Sequence, residues 1–361
     1  MEIGSAAFVA VSASGVKSVF AQAENEYLTD YAPREKCWDR HRGDAQEAGY
    51  IYGFADPNQY EFAPRYAERI GKCSPVLSFG IMEDVATGNT TPKLKSAWFC
   101  KVRTCPVCQW RRALMHKARF LKAFDQLDCL ANRSFIFLTL TVENPDITDL
   151  RKTLSSMSNA WMRFTKLKQF SNVLGWVRST EVTWSDRPNL DSAHPHYHVL
   201  LMVRNSWFGN SYVSQASWCN AWKGAARLDY VPIVDVQKVK PRDENGKPTK
   251  GPLTLDELKK AVSETLKYSL KSEDGIKHRE WFLEFTRQVK SLKFVTSGGE
   301  FNGWFKDRER ATQQELLVPY SIDGEEEEVE RDRIHFEFQP TVKRYARMSE
   351  TRPIKEKSRA S

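Results

Sequence analysis

Residues 194–201 read His-Pro-His-Tyr-His-Val-Leu-Leu, placing three of the chain's seven histidines within five positions. In a β-strand successive side chains point to opposite faces, so residues two apart share one. His194, His196 and His198 therefore project to one side, and Tyr197, Val199 and Leu201 to the other. A lone histidine on a strand is usually structural, but here the pair His196 and His198 is followed by four apolar residues. Two imidazoles one pleat apart can grip a single divalent metal. An earlier strand-like run, Gly175–Trp184, offers Glu181. If the two strands pair, two histidines and one carboxylate hold the ion and leave positions open for substrate oxygens and water. His194, ahead of a proline at the strand start, is expected to orient a ligand or DNA instead.

The rest of the chain predicts a mixed architecture. Ser134–Val142 is β-branched and aromatic and reads as a buried strand. Residues 147–172 carry Leu150, Leu154, Met157, Trp161 and Phe164 at helical steps. Helices are expected at 111–128, Tyr212–Arg227, Leu255–Leu270 and His278–Leu292, and further strands at Pro195–Val203 and Val231–Val239. The order β-α-β-β-α-β-α predicts an α+β domain with helices packed on a largely antiparallel sheet. Residues 1–60 give no firm assignment.

At 361 residues with 41% hydrophobic and 12% aromatic side chains, a packed core is available and wholesale disorder is excluded. No apolar run approaches the roughly 18 residues of a membrane span, and Ala6–Val11 is too short for a signal segment. The net charge of +8 is compatible with an acidic polymer as partner. Its distribution says more. Lys93 to Lys122 holds nine basic residues and no acidic one. Glu325–Glu328 with Glu330 forms an acidic run expected to be solvated, and the tail from Lys343 onward is basic and expected to be disordered.

The seven cysteines are odd in number and unevenly spread, which argues for a reducing compartment and against a disulfide framework. Cys105-Pro-Val-Cys108 is a knuckle, with Cys100 just before it and Cys73 further upstream. Thiolates at this spacing can close a tetrahedral, structural Zn²⁺ site, with His116 as the substitute for a fourth ligand. A redox pair is the alternative. Arg103, Arg111 and Arg112 around the knuckle are the expected contacts to a nucleic-acid backbone. Cys37, Cys129 and Cys219 read as ordinary core residues.

Thr254-Leu255-Asp256-Glu257 reads as a capping box opening a helix. At about 100° per residue, Leu258, Val262, Leu266 and Leu270 form one stripe, and Lys260, Glu264, Tyr268 and Lys271 lie opposite it. A phenol of ordinary pKa about 10 needs help from cations or a metal to attack. Lys271 can supply that charge, and Glu264 can take a proton from water in a later step.

Together these segments resemble the rolling-circle replication initiators of bacterial plasmids, within the HUH endonuclease superfamily. The likeness rests on Phe137-Leu138-Thr139-Leu140-Thr141, on His194–Leu201, and on Glu264-Thr265-Leu266-Lys267-Tyr268-Ser269-Leu270-Lys271. Cys100–Arg112 is similar to the cysteine-rich segment of the subgroup with a Glu four residues before its tyrosine. The resemblance covers roughly residues 37–295. It implies a ferredoxin-like sheet with the histidines on a central strand and the tyrosine helix across it. It further implies nicking of plasmid origin DNA through a covalent 5′-phosphotyrosyl link at Tyr268, with Mg²⁺ or Mn²⁺ on His196, His198 and Glu181. Host helicase and DNA polymerase are the implied partners, in the bacterial cytoplasm. The implied division is an N-terminal extension (1–60), a zinc-binding DNA-contact segment (61–112), a nicking domain (113–295) and a C-terminal extension (296–361). A related transposase or relaxase, or a non-enzymatic zinc-bearing DNA-binding regulator, are the other readings.

Overall fold

The computed structural model describes residues 26–349 apart from 86–87, 89, 125–131, 188–189, 210, 242–246, 250–252, 267–269, 271, 306–310 and 318–327. Its elements are α1 (Leu28–Tyr31), α2 (Cys37–Gly53), α3 (Ala63–Gly71), β1 (Val76–Asp84), β2 (Thr90–Ala97), α4 (Pro106–Phe124), β3 (Arg133–Thr141), α5 (Leu150–Phe164) and β4 (Val173–Arg187). They continue with β5 (Leu190–Arg204), α6 (Gln215–Ala226), β6 (Val234–Lys238), α7 (Leu255–Thr265), α8 (Ser272–Lys277), α9 (Arg279–Gln288), β7 (Val295–Gly299), β8 (Glu328–Gln339) and β9 (Arg344–Arg347).

Among the described residues the strands form two antiparallel sheets, in the orders β2-β1-β8-β9 and β6-β3-β5-β4-β7. The fold is α+β with helices packed on antiparallel sheets. The histidine strand β5 is the middle strand of the second sheet, and alternation along it divides the packing. Tyr197, Val199 and Leu201 face a core that includes Trp161 of α5 and Trp222 of α6. Leu200 and Met202 face a separate cluster with Leu258 and Val262 of α7, Leu266 just past its end, and Phe120 and Phe124 of α4. Full burial of each such side chain stabilises the fold by about 1.5–3 kcal/mol relative to exposure.

Helix boundaries moved for local reasons. Helix α4 begins at Pro106 rather than 111, because proline at the first turn needs no N–H partner. Helix α5 keeps Leu150, Leu154, Met157, Trp161 and Phe164 buried but stops at Phe164. Helix α7 opens with the expected capping box, Thr254 with Glu257, a contribution of about 1 kcal/mol. It ends at Thr265, not Leu270. The Ser179 hydroxyl of β4 donates to the Thr265 carbonyl there, and Leu266 leaves helical geometry.

Both chain ends depart from expectation. Residues 28–53, left unassigned, hold α1 and α2, with Trp38, Ala45, Ala48 and Tyr52 in the core. The basic stretch from Lys343 forms β9, because Tyr345 is buried and its charged neighbours find partners: Arg344 with Asp30 and Asp39, Arg347 with Glu26. In the acidic run Glu330 lies in β8 and pairs with Arg333 and Lys95. Strand β1 of the cysteine-rich segment pairs with β8 of the C-terminal stretch, so the two build one sheet. The remainder of the tail, Glu325–Glu327 and Cys129 lie outside the described residues, and Cys37 and Cys219 are only half-buried.

Candidate functional site

The register places the carboxylate as the strand pairing requires. Glu181 lies directly across from His196, and Ser179 from His198. On the other side, Thr141 and Thr139 of β3 oppose His196 and His198. Glu181 Oε2 is 3.2 Å from His196 Nε2 and 2.8 Å from His198 Nε2, and the two Nε2 atoms are 3.1 Å apart. Octahedral coordination at 2.0–2.1 Å needs neighbouring ligands about 3 Å apart, which is this triangle's edge.

The hydrogen bonding makes the fit specific. His196 Nδ1 lies 3.2 Å from the carbonyl of His194. A carbonyl only accepts, so Nδ1 carries a proton there and the ring is held with Nε2 facing the carboxylate and the second imidazole. These three atoms converge closely enough that they could hold a metal ion between them. Burial pushes the Glu181 carboxyl up, but its bonds to His196 and His198 outweigh that and hold it well below the ordinary carboxylate range. Glu181 is thus ionised, as a ligand must be.

His194 stands outside this ligand group. Its Nδ1 is 2.7 Å from Asn144 Oδ1, and Asn144 donates in turn to Ser185 Oγ at 2.8 Å. Asn144 and Ser179 are contributions that the sequence reasoning missed. Period-two alternation from Glu181 would have found Ser179. Asn144 carries no local signal, being 50 residues from its partner.

The four cysteines named from sequence converge. Cys73 follows α3, Cys100 follows β2, and Cys105 and Cys108 flank the start of α4. Their sulfurs lie 3.7 Å (Cys73–Cys108), 3.5 Å (Cys100–Cys108) and 3.7 Å (Cys73–Cys105) apart. A disulfide needs about 2.05 Å, whereas tetrahedral Zn–S bonds of 2.3 Å put sulfurs about 3.8 Å apart. Backbone N–H groups of Lys101 and Val102 point at Cys108 and Cys100, with Lys101 in the left-handed conformation at φ 58°. Burial pushes the Cys100 and Cys105 thiols up. Burial acts likewise on Cys108, but hydrogen bonds from the other three sulfurs outweigh it and hold its thiol well down. The four buried sulfurs converge at separations that fit a tetrahedral metal site and exceed a disulfide bond, so together they could hold a metal ion. Cys73 completes the set, and His116 packs instead beside Phe305.

The arginines divide. Arg111 is 1% exposed, stacked against Trp38 and Trp110, and donates through Nε to the Leu316 carbonyl. This is a correction: α4 turns Arg111 into the core, so it does not offer its charge to DNA. Arg103 lies over the Phe294 ring, and Arg112 bonds the Lys101 carbonyl, both half-buried. Glu264 is exposed on α7, on the face opposite buried Leu258, Val262 and Leu266. Tyr268 and Lys271 lie outside the described residues.

The fold is thus an α+β protein with two groups of side chains, Glu181-His196-His198 on the middle strands of a sheet and the four cysteines, that could each hold a metal ion. Comparison with known sequences gives the family. The profile of the replication protein family matches residues 91–346, and the chain belongs to that family. It is similar to "Protein rep" of Lentilactobacillus hilgardii, 32% identical over 273 residues, covering 74% of this chain and 82% of that one. "Protein rep" of Bacillus amyloliquefaciens is 42% identical over 188 residues, 50% of this chain and 52% of that one. "Protein rep" of Streptococcus pneumoniae is 36% identical over 209 residues, 56% and 59%. The chain thus spans most of the first relative and somewhat over half of the other two. No solved structure matches it significantly.

Proposed function

We propose that this protein is a plasmid replication initiator that nicks one strand of its origin DNA. The observation that carries the reading is the convergence of Glu181 Oε2, His196 Nε2 and His198 Nε2 to within 3.2 Å of one another, together with the Ser179 bond to the Thr265 carbonyl at the end of α7. The anchored residue, Thr265, is three positions before Tyr268 in the chain.

Glu181, His196 and His198 would hold a Mg²⁺ or Mn²⁺ ion, which when bound would supply Lewis acidity to the scissile phosphate. The Tyr268 oxygen attacks phosphorus and loses its proton, and the bond to the 3′ oxygen breaks. That oxygen leaves as a 3′-OH, and a 5′-phosphotyrosyl bond remains. Lys271 stabilises the charge on the phenolate and the phosphate. In a second step Glu264 removes a proton from water, which releases the 5′ phosphate and restores the tyrosine. The 3′-OH primes synthesis by host DNA polymerase, with host helicase opening the duplex, in the bacterial cytoplasm. Among the described residues no helix is long and apolar enough to cross a membrane.

Zn²⁺ in the cysteine cage is structural, fixing the start of α4 against the first sheet. Arg103 and Arg112 border the DNA path. Lys95, Arg119 and Lys122, which line a groove between β2 and α4, take the backbone role that Arg111 does not.

The test is nicking of a supercoiled plasmid carrying the cognate origin, with Mn²⁺. The wild-type protein should relax it, and His196→Ala should not. Relaxation surviving in both His196→Ala and Glu181→Ala would reject the proposed centre.

A further inference from the structure

On the face of β4 turned away from Glu181, a charged residue is buried without a counter-charge among the described residues. Arg178 is 4% exposed. Its guanidinium carbon lies 4.2 Å from the Tyr197 ring centre and 5.4 Å from that of Trp161. Among the described residues no carboxylate pairs with it, and its Nε and Nη1 have no hydrogen-bond partner. Two further buried groups beside it are also unsatisfied. Thr296 of β7 lies directly across from Arg178, on the same face, and its hydroxyl has no partner. The Trp161 ring that Arg178 overlies has an unpartnered Nε1.

The donors are thus a guanidinium edge, an indole N–H and a hydroxyl, with a net positive charge and no anionic group among them. A guanidinium keeps its proton even when buried. Leaving such a charge uncompensated is among the costliest arrangements a core can hold, and each orphaned donor adds to it. Water could satisfy the donors but not the charge.

We propose that the donors around Arg178 hold a small monovalent anion of the halide class. The anion accepts from Arg178 Nε and Nη1, Trp161 Nε1 and Thr296 Oγ1 and neutralises the guanidinium. Strand β4 carries Ser179 and Glu181 on its other face, so the anion steadies the strand under the metal triad without touching it. The inference does not depend on the nicking activity.

Two measurements on the full chain test it. Thermal unfolding is followed as chloride replaces gluconate at constant ionic strength, which separates a bound ion from general screening. The melting temperature should rise with chloride, by roughly 5 °C at a hundredfold excess over Kd, and the rise should vanish in Arg178→Met and shrink in Thr296→Val. Crystals soaked in bromide should show an anomalous peak within hydrogen-bonding reach of Arg178 Nε. If Arg178→Met does not fold, the wild-type crystals and Thr296→Val decide. A melting temperature indifferent to chloride, or ordered water in place of the bromide peak, would overturn the proposal.

Discussion

The Ser179 hydroxyl donates to the main-chain carbonyl of Thr265, tying the last turn of α7 to the strand that carries Glu181. Because Ser179 is the cross-strand partner of His198, this bond sets where the chain leaves α7 relative to Glu181, His196 and His198. Ser179→Ala should cost about 1 kcal/mol of stability. It should lower the nicking rate roughly ten- to a hundredfold by loosening that exit, with Mn²⁺ affinity unchanged. Calorimetric metal titration beside single-turnover cleavage separates the two effects. Loss of metal binding, or an unchanged rate, would show that the bond does not position the helix end.

Arg111 and Arg112 are neighbours in sequence with opposite surroundings. Burial pushes the Arg111 guanidinium down to about 10, despite the charge of Glu35, which leaves it a cation inside an aromatic cage. Arg111→Ala should destabilise the fold by about 2–4 kcal/mol while the folded protein keeps its DNA affinity. Arg112→Ala should leave the urea midpoint nearly unchanged and lower the salt slope of DNA binding by about 1. The reverse pattern would contradict the burial of Arg111.

The cysteine cage predicts one tightly held Zn²⁺ per chain in non-denaturing mass spectrometry, lost in Cys105→Ser. Removing the metal should melt the start of α4 and with it the packing around Trp110, read as loss of near-ultraviolet dichroism. An unaltered spectrum after complete chelation would exclude a structural role.

His41 is stacked on Trp110 at 4.8 Å, and burial pushes its imidazole down to about 3. The unfolded chain binds this proton below about pH 6.5, whereas the folded chain refuses it until about pH 3. Stability from this group is therefore full above pH 6.5 and falls as the pH drops through that window. The slope is at most about 1.4 kcal/mol per pH unit. Urea midpoints at pH 7 and 5.5 should converge in His41→Gln relative to the wild type. An identical pH dependence in both would show that His41 is not the group.

Much of this site was legible because strand chemistry is local. Period-two alternation put His196 and His198 on one face, and Glu181 was the carboxylate a pairing strand would bring opposite them. The knuckle spacing likewise identified Cys100, Cys105 and Cys108, while Cys73, far upstream, competed with His116 for the fourth place until the fold brought it in. What sequence missed depends on distant contacts. Arg111 reads as one more charge in an acid-free run, and only the aromatic residues of α2 and α4 around it make it internal. Helix α7 should run on through Tyr268 by its apolar stripe, yet a hydroxyl from β4 takes its last carbonyl. The basic residues after Lys343 suggest disorder until β8 and the acidic partners Glu26, Asp30 and Asp39 are in place.

The central claim is that Tyr268 forms the covalent bond beside the Glu181-His196-His198 centre. The most direct measurement is digestion and peptide mass spectrometry of the protein after incubation with origin single-stranded DNA and Mn²⁺. A nucleotide adduct on the peptide containing Tyr268, absent from Tyr268→Phe and from His196→Ala, is the predicted result. Cleavage with no adduct on that peptide, or an adduct that persists in Tyr268→Phe, would contradict it.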